Sequence, residues 1–203
     1  MRGGTGAAEQ RRILAVVLAL NLLLVALLTA AGVSADSSGL IANALDNASD
    51  SAVYVISLFA VNRSPTWKRA AATASGVLLL LFAAGVLADA ARRYVVGSEP
   101  VGPMMMGASA VAAAVNLLCL VLLRRLGRSD VNLRAAETFS ANDFVASGGV
   151  LAAGALVAWT GQRWPDLLVG VAVTAIAQKG GVEILRDARD AKHAQTPKGG
   201  ANA

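Results

Sequence analysis

A chain of 203 residues with 56% apolar and only 15% charged side chains is too apolar for an ordinary soluble domain, where about a quarter of residues are charged. The net charge of +5 does not point to nucleic acid, because the basic residues punctuate apolar blocks and form no stripe on a soluble face. The single cysteine, Cys119, excludes an internal disulfide and any multi-cysteine metal site, and its apolar setting marks it as a packing residue.

The apolar residues fall in blocks of about twenty, the length an α-helix needs to cross ~30 Å of hydrocarbon. After an N-terminal tail (1–12) the blocks are Ile13–Val33, Gly39–Val61, Ala70–Ala91, Met104–Leu123, Phe139–Thr160 and Asp166–Leu185. The first is 21 residues long, beyond the ~7–15 of the apolar core of a secretory leader, so it reads as a retained span. Asn62–Arg69, Gly97–Pro103 and Gly161–Pro165 turn the chain, and 186–203 reads as a short tail, disordered at its Gly/Pro/Asn-rich end. The expected fold is all-α: a polytopic membrane protein with six transmembrane helices over 13–185 and no second domain.

Arginine and lysine accumulate on the cytoplasmic side of membrane proteins. Here 15 of the 18 basic residues fall in the N-terminal tail, the second and fourth connections, and the end of the last span with its tail. Only Arg92, Arg93 and Arg163 fall on the opposite side. Six spans with both termini in the cytoplasm satisfy that asymmetry, and the cell inner (plasma) membrane is the expected location.

The second block carries Asp46 and Asp50, four residues apart and therefore on one helix face. Asn43, Asn47, Tyr54 and Ser57 extend that polar stripe. At about 1.5 Å per residue, both acids lie ~10–18 Å from the outer boundary, near mid-membrane. The fifth block adds Asp143, with Ser140 and Ser147 on its face and Gly148 and Gly149 beside it, small residues that admit a neighbouring helix. Counted inward from opposite sides, Asp143 and Asp50 reach similar depth.

An ionised side chain in the bilayer centre costs at least ~2.5–3.5 kcal/mol, and three together repel one another. No lysine or arginine occurs in the central parts of the second or fifth blocks, and Lys179 lies near the cytoplasmic end of the sixth. The remaining neutralising agents are protons and metal ions. The bland alternative is a set of protonated aspartates that only hydrogen-bond neighbouring helices. Carboxylates that exchange protons for metal would couple metal export to proton entry.

The run Leu45-Asp46-Asn47-Ala48-Ser49-Asp50 resembles the second-helix Asp-x-x-x-Asp motif of the cation diffusion facilitators. Asn132-Leu133-Arg134-Ala135-Ala136 ahead of Asp143 resembles that family's approach to its fifth helix, and Trp164-Pro165-Asp166 its entry to the sixth. Asp89 and Asn116 also fall where the family has an acid and an asparagine. The likeness covers about residues 10–190. It implies a metal/proton antiporter, usually a homodimer, with a tetrahedral site on helices two and five; carried over by position, Asp46, Asp50 and Asp143 are that site.

Two departures qualify the resemblance. The family commonly places His, sometimes Asp, four residues before the helix-five Asp; here that residue is Phe139. The one histidine, His193, lies in the tail. The fourth ligand then falls to Asn142 first, with Ser140, Asn47, a backbone carbonyl or water as alternatives. An all-oxygen site suits Mn²⁺, Mg²⁺ or Fe²⁺ better than a His-containing one does, while the family resemblance keeps Zn²⁺ and Cd²⁺ first and leaves Co²⁺ open. The chain also reads as a short form without the family's cytoplasmic C-terminal domain, so a dimer would be held by membrane helices. No resident cofactor is expected; lipid, a divalent cation and protons are the expected partners.

Other residues read more plainly. Glu183, Asp187, Asp190 and His193 alternate with Arg186, Arg189 and Lys192 as a solvated helix end, not a second metal site. Asp89 and Asp166 read as interfacial or helix-terminal, with an entrance path as the alternative, Asp166 suiting the positive end of a helix dipole. Asn21 and Asn116 read as helix-helix hydrogen-bonding residues, Trp67, Trp159 and Trp164 as interfacial anchors, and Met104–Met106 as packing. Enzyme readings fail: Gly-x-Gly-Asp is absent, and no arginine accompanies Asp46 and Asp50. The alternative to transport is a non-transporting or passively conducting membrane partner whose site is incomplete at Phe139.

Overall fold

Four of the five prolines stand where a helix tolerates them: Pro65 opens a helix, Pro103 and Pro165 are second residues, and Pro100 lies in a turn. The apolar blocks between them are free to run as unbroken helices. The computed structural model describes residues 3–59, 64–125 and 131–193 and contains six helices. These are α1 (Gly3–Ser34), α2 (Ser38–Phe59), α3 (Pro65–Val96), α4 (Gly102–Arg125), α5 (Val131–Thr160) and α6 (Trp164–His193).

Several helices outrun the apolar blocks. α5 begins eight residues before Phe139, and α6 continues eight beyond Leu185, into the expected tail. Hydrogen bonding along a helix does not end where hydrocarbon ends; it ends at a cap or a breaker. α3 starts early because Ser64 Oγ accepts from the Trp67 N–H at 3.2 Å and Pro65 follows at the first position. It stops at Gly97, whose φ of 109° suits only glycine.

Among the described residues five helices are long and apolar enough to cross a membrane: Ala8–Ser34, Arg69–Val96, Gly102–Arg125, Ala136–Thr160 and Trp164–Arg186. α2 is not among them. Its 22 residues would span about 33 Å, so length is not the obstacle; the polar stripe through Asp46 and Asp50 is. The helix that carries the acidic stripe is also the central one. α2 packs against α1, α3, α5 and α6 and touches α4. Its polar groups therefore face protein.

α4 and α5 form the most extensive pair, and α3 pairs with α6. The close approach of α4 and α5 depends on Gly102 and Gly154. A Cβ on Gly154 would sit 2.8 Å from the Met105 Cβ, and one on Gly102 would meet the Gly154 carbonyl at 2.7 Å. Gly148 and Gly149, expected to serve this purpose, do not: a Cβ on Gly148 would meet nothing within 4 Å, and one on Gly149 would make only an ordinary 3.5 Å contact with Val169.

The turns α1–α2, α3–α4 and α5–α6 meet at one end of the bundle. Val101 N–H donates to the Ala35 carbonyl at 2.9 Å, Glu99 N–H to Asp36 Oδ2 at 2.9 Å, and Arg163 Nη2 to the Tyr94 carbonyl at 3.2 Å. Trp159 and Trp164 are exposed near this end and Trp67 near the other, as boundary anchors would be. Met105 faces the core while Met104 and Met106 are exposed, the packing arrangement expected of three consecutive residues.

Candidate functional site

Asn43, Asp46, Asn47, Asp50 and Tyr54 recur at three- and four-residue steps, so helical geometry lays them along one face of α2. All are buried. Ser140, Asp143 and Ser147 do the same on α5 and are buried too. The two stripes meet: Asn43 Nδ2 donates to Ser147 Oγ at 3.0 Å, and the Tyr54 hydroxyl donates to the Ala136 carbonyl at 3.2 Å.

Between those two contacts lie the acids. Asp143 is 1% exposed, Asp46 6% and Asp50 8%. The Asp46 and Asp143 carboxyls face one another at hydrogen-bonding range, and Asp50 lies within electrostatic reach of both. The ion pairs seen among the described residues involve none of the three. As they stand, no three Asp, Glu, His or Cys side chains among the described residues converge on one coordination centre. Three like charges have electrostatic reason to stay apart until a cation draws them together.

The setting is a polar layer between two apolar clusters. Toward the three turns lie Leu24 of α1, Leu40 and Ala44 of α2, Met105 and Ala112 of α4, and Val150 of α5. Toward the chain termini lie Val17, Tyr54, Cys119, Leu123 and Ala136. Between them on each helix stand Asn21, Asn47, Asn116 and Asp143. Several buried atoms of this layer have no hydrogen-bond partner among the described residues: Asp143 Oδ2, Asn47 Oδ1, Ser140 Oγ, Asn21 Oδ1 and both amide atoms of Asn116. Buried polar atoms normally find partners, so a concentration of unmet ones marks a place built for something else.

Asn142 does not join this cluster. It is exposed, because one residue along α5 turns the side chain about 100° from Asp143. Phe139 is half-buried and packs edge-on against Tyr54, ring centres 6.3 Å apart. Asn21 and Asn116 do not bridge helices as expected. Asn21 Nδ2 donates to the Val17 carbonyl of its own helix at 2.9 Å, and Asn116 has no hydrogen-bond partner among the described residues. The side chain of Ser57 lies outside the described residues.

A second acidic group sits at the turn end. Asp166 is fully buried and accepts from Ser37 Oγ at 2.5 Å, Ser38 N–H at 2.7 Å and Gly39 N–H at 3.0 Å. It therefore caps α2, not only its own helix. Arg93 reaches both Asp36 and Asp89 Oδ2, the latter at 2.5 Å, and Arg92 pairs with Asp89 at 2.8 Å. Sequence reasoning passed over Asp36, whose φ of 50° in the α1–α2 turn suits an aspartate. It also passed over Glu137, buried and paired with Arg124 at 3.1 Å. Lys179 and Glu183 form an exposed pair at 3.9 Å, while the side chains of Asp187, Asp190, Lys192 and His193 lie outside the described residues.

Fold and site together define a multi-pass helical membrane protein with an acidic cluster at its core. The sequence matches the family model described as "Cation efflux transmembrane domain" over residues 14–191, and the chain belongs to that family of transporters; it is not an enzyme. It is 25% identical over 169 residues to the "Zinc transporter ZitB" of Escherichia coli, covering 77% of this chain and 54% of that protein. It is 26% identical over 119 residues to a "Cadmium, cobalt and zinc/H(+)-K(+) antiporter" of Bacillus velezensis, covering 58% of this chain and 38% of that protein. The chain thus spans about half or less of the length of these relatives.

Proposed function

We propose that this chain carries divalent metal cations out of the cytoplasm in exchange for protons, with Asp46, Asp50 and Asp143 as the transport site. The observation that carries this reading is the burial of three carboxylates of α2 and α5 in one layer of the bundle, with no basic partner among the described ion pairs. Charges held at that depth need a counter-ion, and a mobile one supplies it.

Oxygen donors alone accept Zn²⁺, Cd²⁺, Mn²⁺, Fe²⁺ and Co²⁺. Zn²⁺ and Cd²⁺ come first, because relatives are named for zinc, cadmium and cobalt. Binding draws Asp50 toward the Asp46–Asp143 pair and releases protons, since only deprotonated carboxylates ligate metal. Alternate opening of the two ends then carries the ion across. The basic asymmetry of the connections supports six spans with both termini in the cytoplasm, in the plasma membrane. Pairing of two copies through membrane helices completes the expected assembly.

The rival reading, a passive or non-transporting partner with an incomplete site, draws on Phe139 and on the spread of the carboxylates. Purified protein in sealed vesicles separates the two. Zn²⁺ entering against its gradient when a pH gradient is imposed, and each of Asp46→Asn, Asp50→Asn and Asp143→Asn abolishing it, is the expected result. Zn²⁺ flux indifferent to the pH gradient would leave only passive conduction, and flux surviving all three substitutions would remove the site.

A further inference from the structure

We infer that Asn116 of α4 supplies an additional oxygen ligand to the transported cation, so that the site spans three helices instead of two. The inference rests on the transport reading above and deepens it. Its first support is register. α4 and α5 run antiparallel, and Gly154 abuts Met105. Eleven residues on from Met105 along α4 is Asn116, and eleven back from Gly154 along α5 is Asp143. The Arg124–Glu137 pair gives a second frame: eight residues back from Arg124 is Asn116, and eight on from Glu137 is Val145. Both frames place Asn116 level with Asp143 to within about half a helical turn. Cys119, one turn from Asn116, is within electrostatic reach of Asp143.

The second support is the state of the side chain. Asn116 is fully buried, and neither its Oδ1 nor its Nδ2 has a partner among the described residues. An amide carries an acceptor oxygen and two donor hydrogens, and leaving them unmet in a packed core works against the fold. Asp143 Oδ2, at the same level, is also unmet. A carbonyl oxygen and a carboxylate oxygen without partners, facing a common layer, suit a divalent cation. The amide hydrogens are then free to bond a carboxylate that binds the same ion, which orients the ligand as outer partners commonly do. Asn116 thus provides, from α4, the oxygen that Asn142 on the exposed face of α5 does not.

The test uses the full chain in lipid nanodiscs titrated with Co²⁺, whose d–d absorption reports ligand number and type. Asp143→Asn should abolish binding. Asn116→Ala should weaken binding about tenfold or more and shift the bands as water replaces the amide oxygen. Asn116→Asp should restore binding with bands distinct from those of the unaltered protein. If Asn116→Ala leaves affinity and spectrum unchanged while Asp143→Asn abolishes binding, the role of Asn116 is overturned and the transport site stands. If Asp143→Asn binds Co²⁺ normally, the transport site fails and the inference with it. Should the alanine variant unfold, the aspartate variant decides alone, and a spectrum identical to that of the unaltered protein overturns the proposal.

Discussion

The molecule gathers acids in two places and treats them in opposite ways. At the turn end, Asp166 receives three hydrogen bonds from the start of α2, and Arg93 bridges Asp36 and Asp89. At mid-bundle, Asp46, Asp50 and Asp143 share a layer with amides and hydroxyls whose capacity is unspent, and no cation of the protein pairs with them among the described residues. A carboxylate that is fully partnered joins helices together. One that is desolvated but unpartnered is costly to the fold and is retained for binding. Partnership, not burial, separates the structural acids from the functional ones.

The largest expected effect breaks the contrast at mid-bundle. Asp143→Asn removes a buried charge without changing shape, so vesicle transport should fall to the protein-free background while the melting temperature holds or rises. A variant that transports normally, or that melts far lower, would make Asp143 a structural acid like Asp166. Metal binding at this layer should also weaken as pH falls, because protons compete for the same oxygens. Calorimetric titrations at descending pH check this, and a constant affinity would remove carboxylates from the site.

Asp166→Ala should do the reverse. It strands the Ser38 and Gly39 N–H groups and the Ser37 hydroxyl, so stability should drop by about 1–3 kcal/mol per stranded group at most, read as a lower unfolding midpoint in detergent. Metal affinity of the folded fraction should be unchanged. Arg93→Lys should cost less, about 1 kcal/mol or below, because Asp36 and Asp89 are themselves partly solvated; the loss reflects an ammonium that cannot fork between two carboxylates. The smallest effect should come from Asn142→Ala. With its side chain on the exposed face of α5, metal affinity should not move, and a tenfold loss would return Asn142 to the site.

Much of this arrangement is legible in one dimension. Asp46 and Asp50 share a face because four residues is close to one helical turn, and that holds wherever the helix packs. The improbability of acids within apolar blocks marked Asp143 equally well. Asn142 shows where such reading stops. It stands first as fourth ligand in the sequence because Asn142-Asp143 resembles a pair seen in some members of the family, yet adjacency on a helix is a rotation away from the shared face. Asn116 shows the converse: read as a helix-bridging amide, it has no hydrogen-bond partner among the described residues and stands level with Asp143 only because of how α4 and α5 are registered. Asp166 was legible as a helix-terminal acid, but not as the cap of a helix that begins 128 residues earlier.

The sequence by itself determined the number of helices, the faces on which polar groups ride and the presence of acids too deep to be solvated, because these follow from local periodicity and from the cost of charge in oil. Only the tertiary structure decided that α2 is the central helix, that Gly102 and Gly154 and not Gly148 and Gly149 bring neighbours close, and which acids are partnered. Those outcomes depend on the lateral packing and relative register of helices far apart in the chain, and no local rule encodes either.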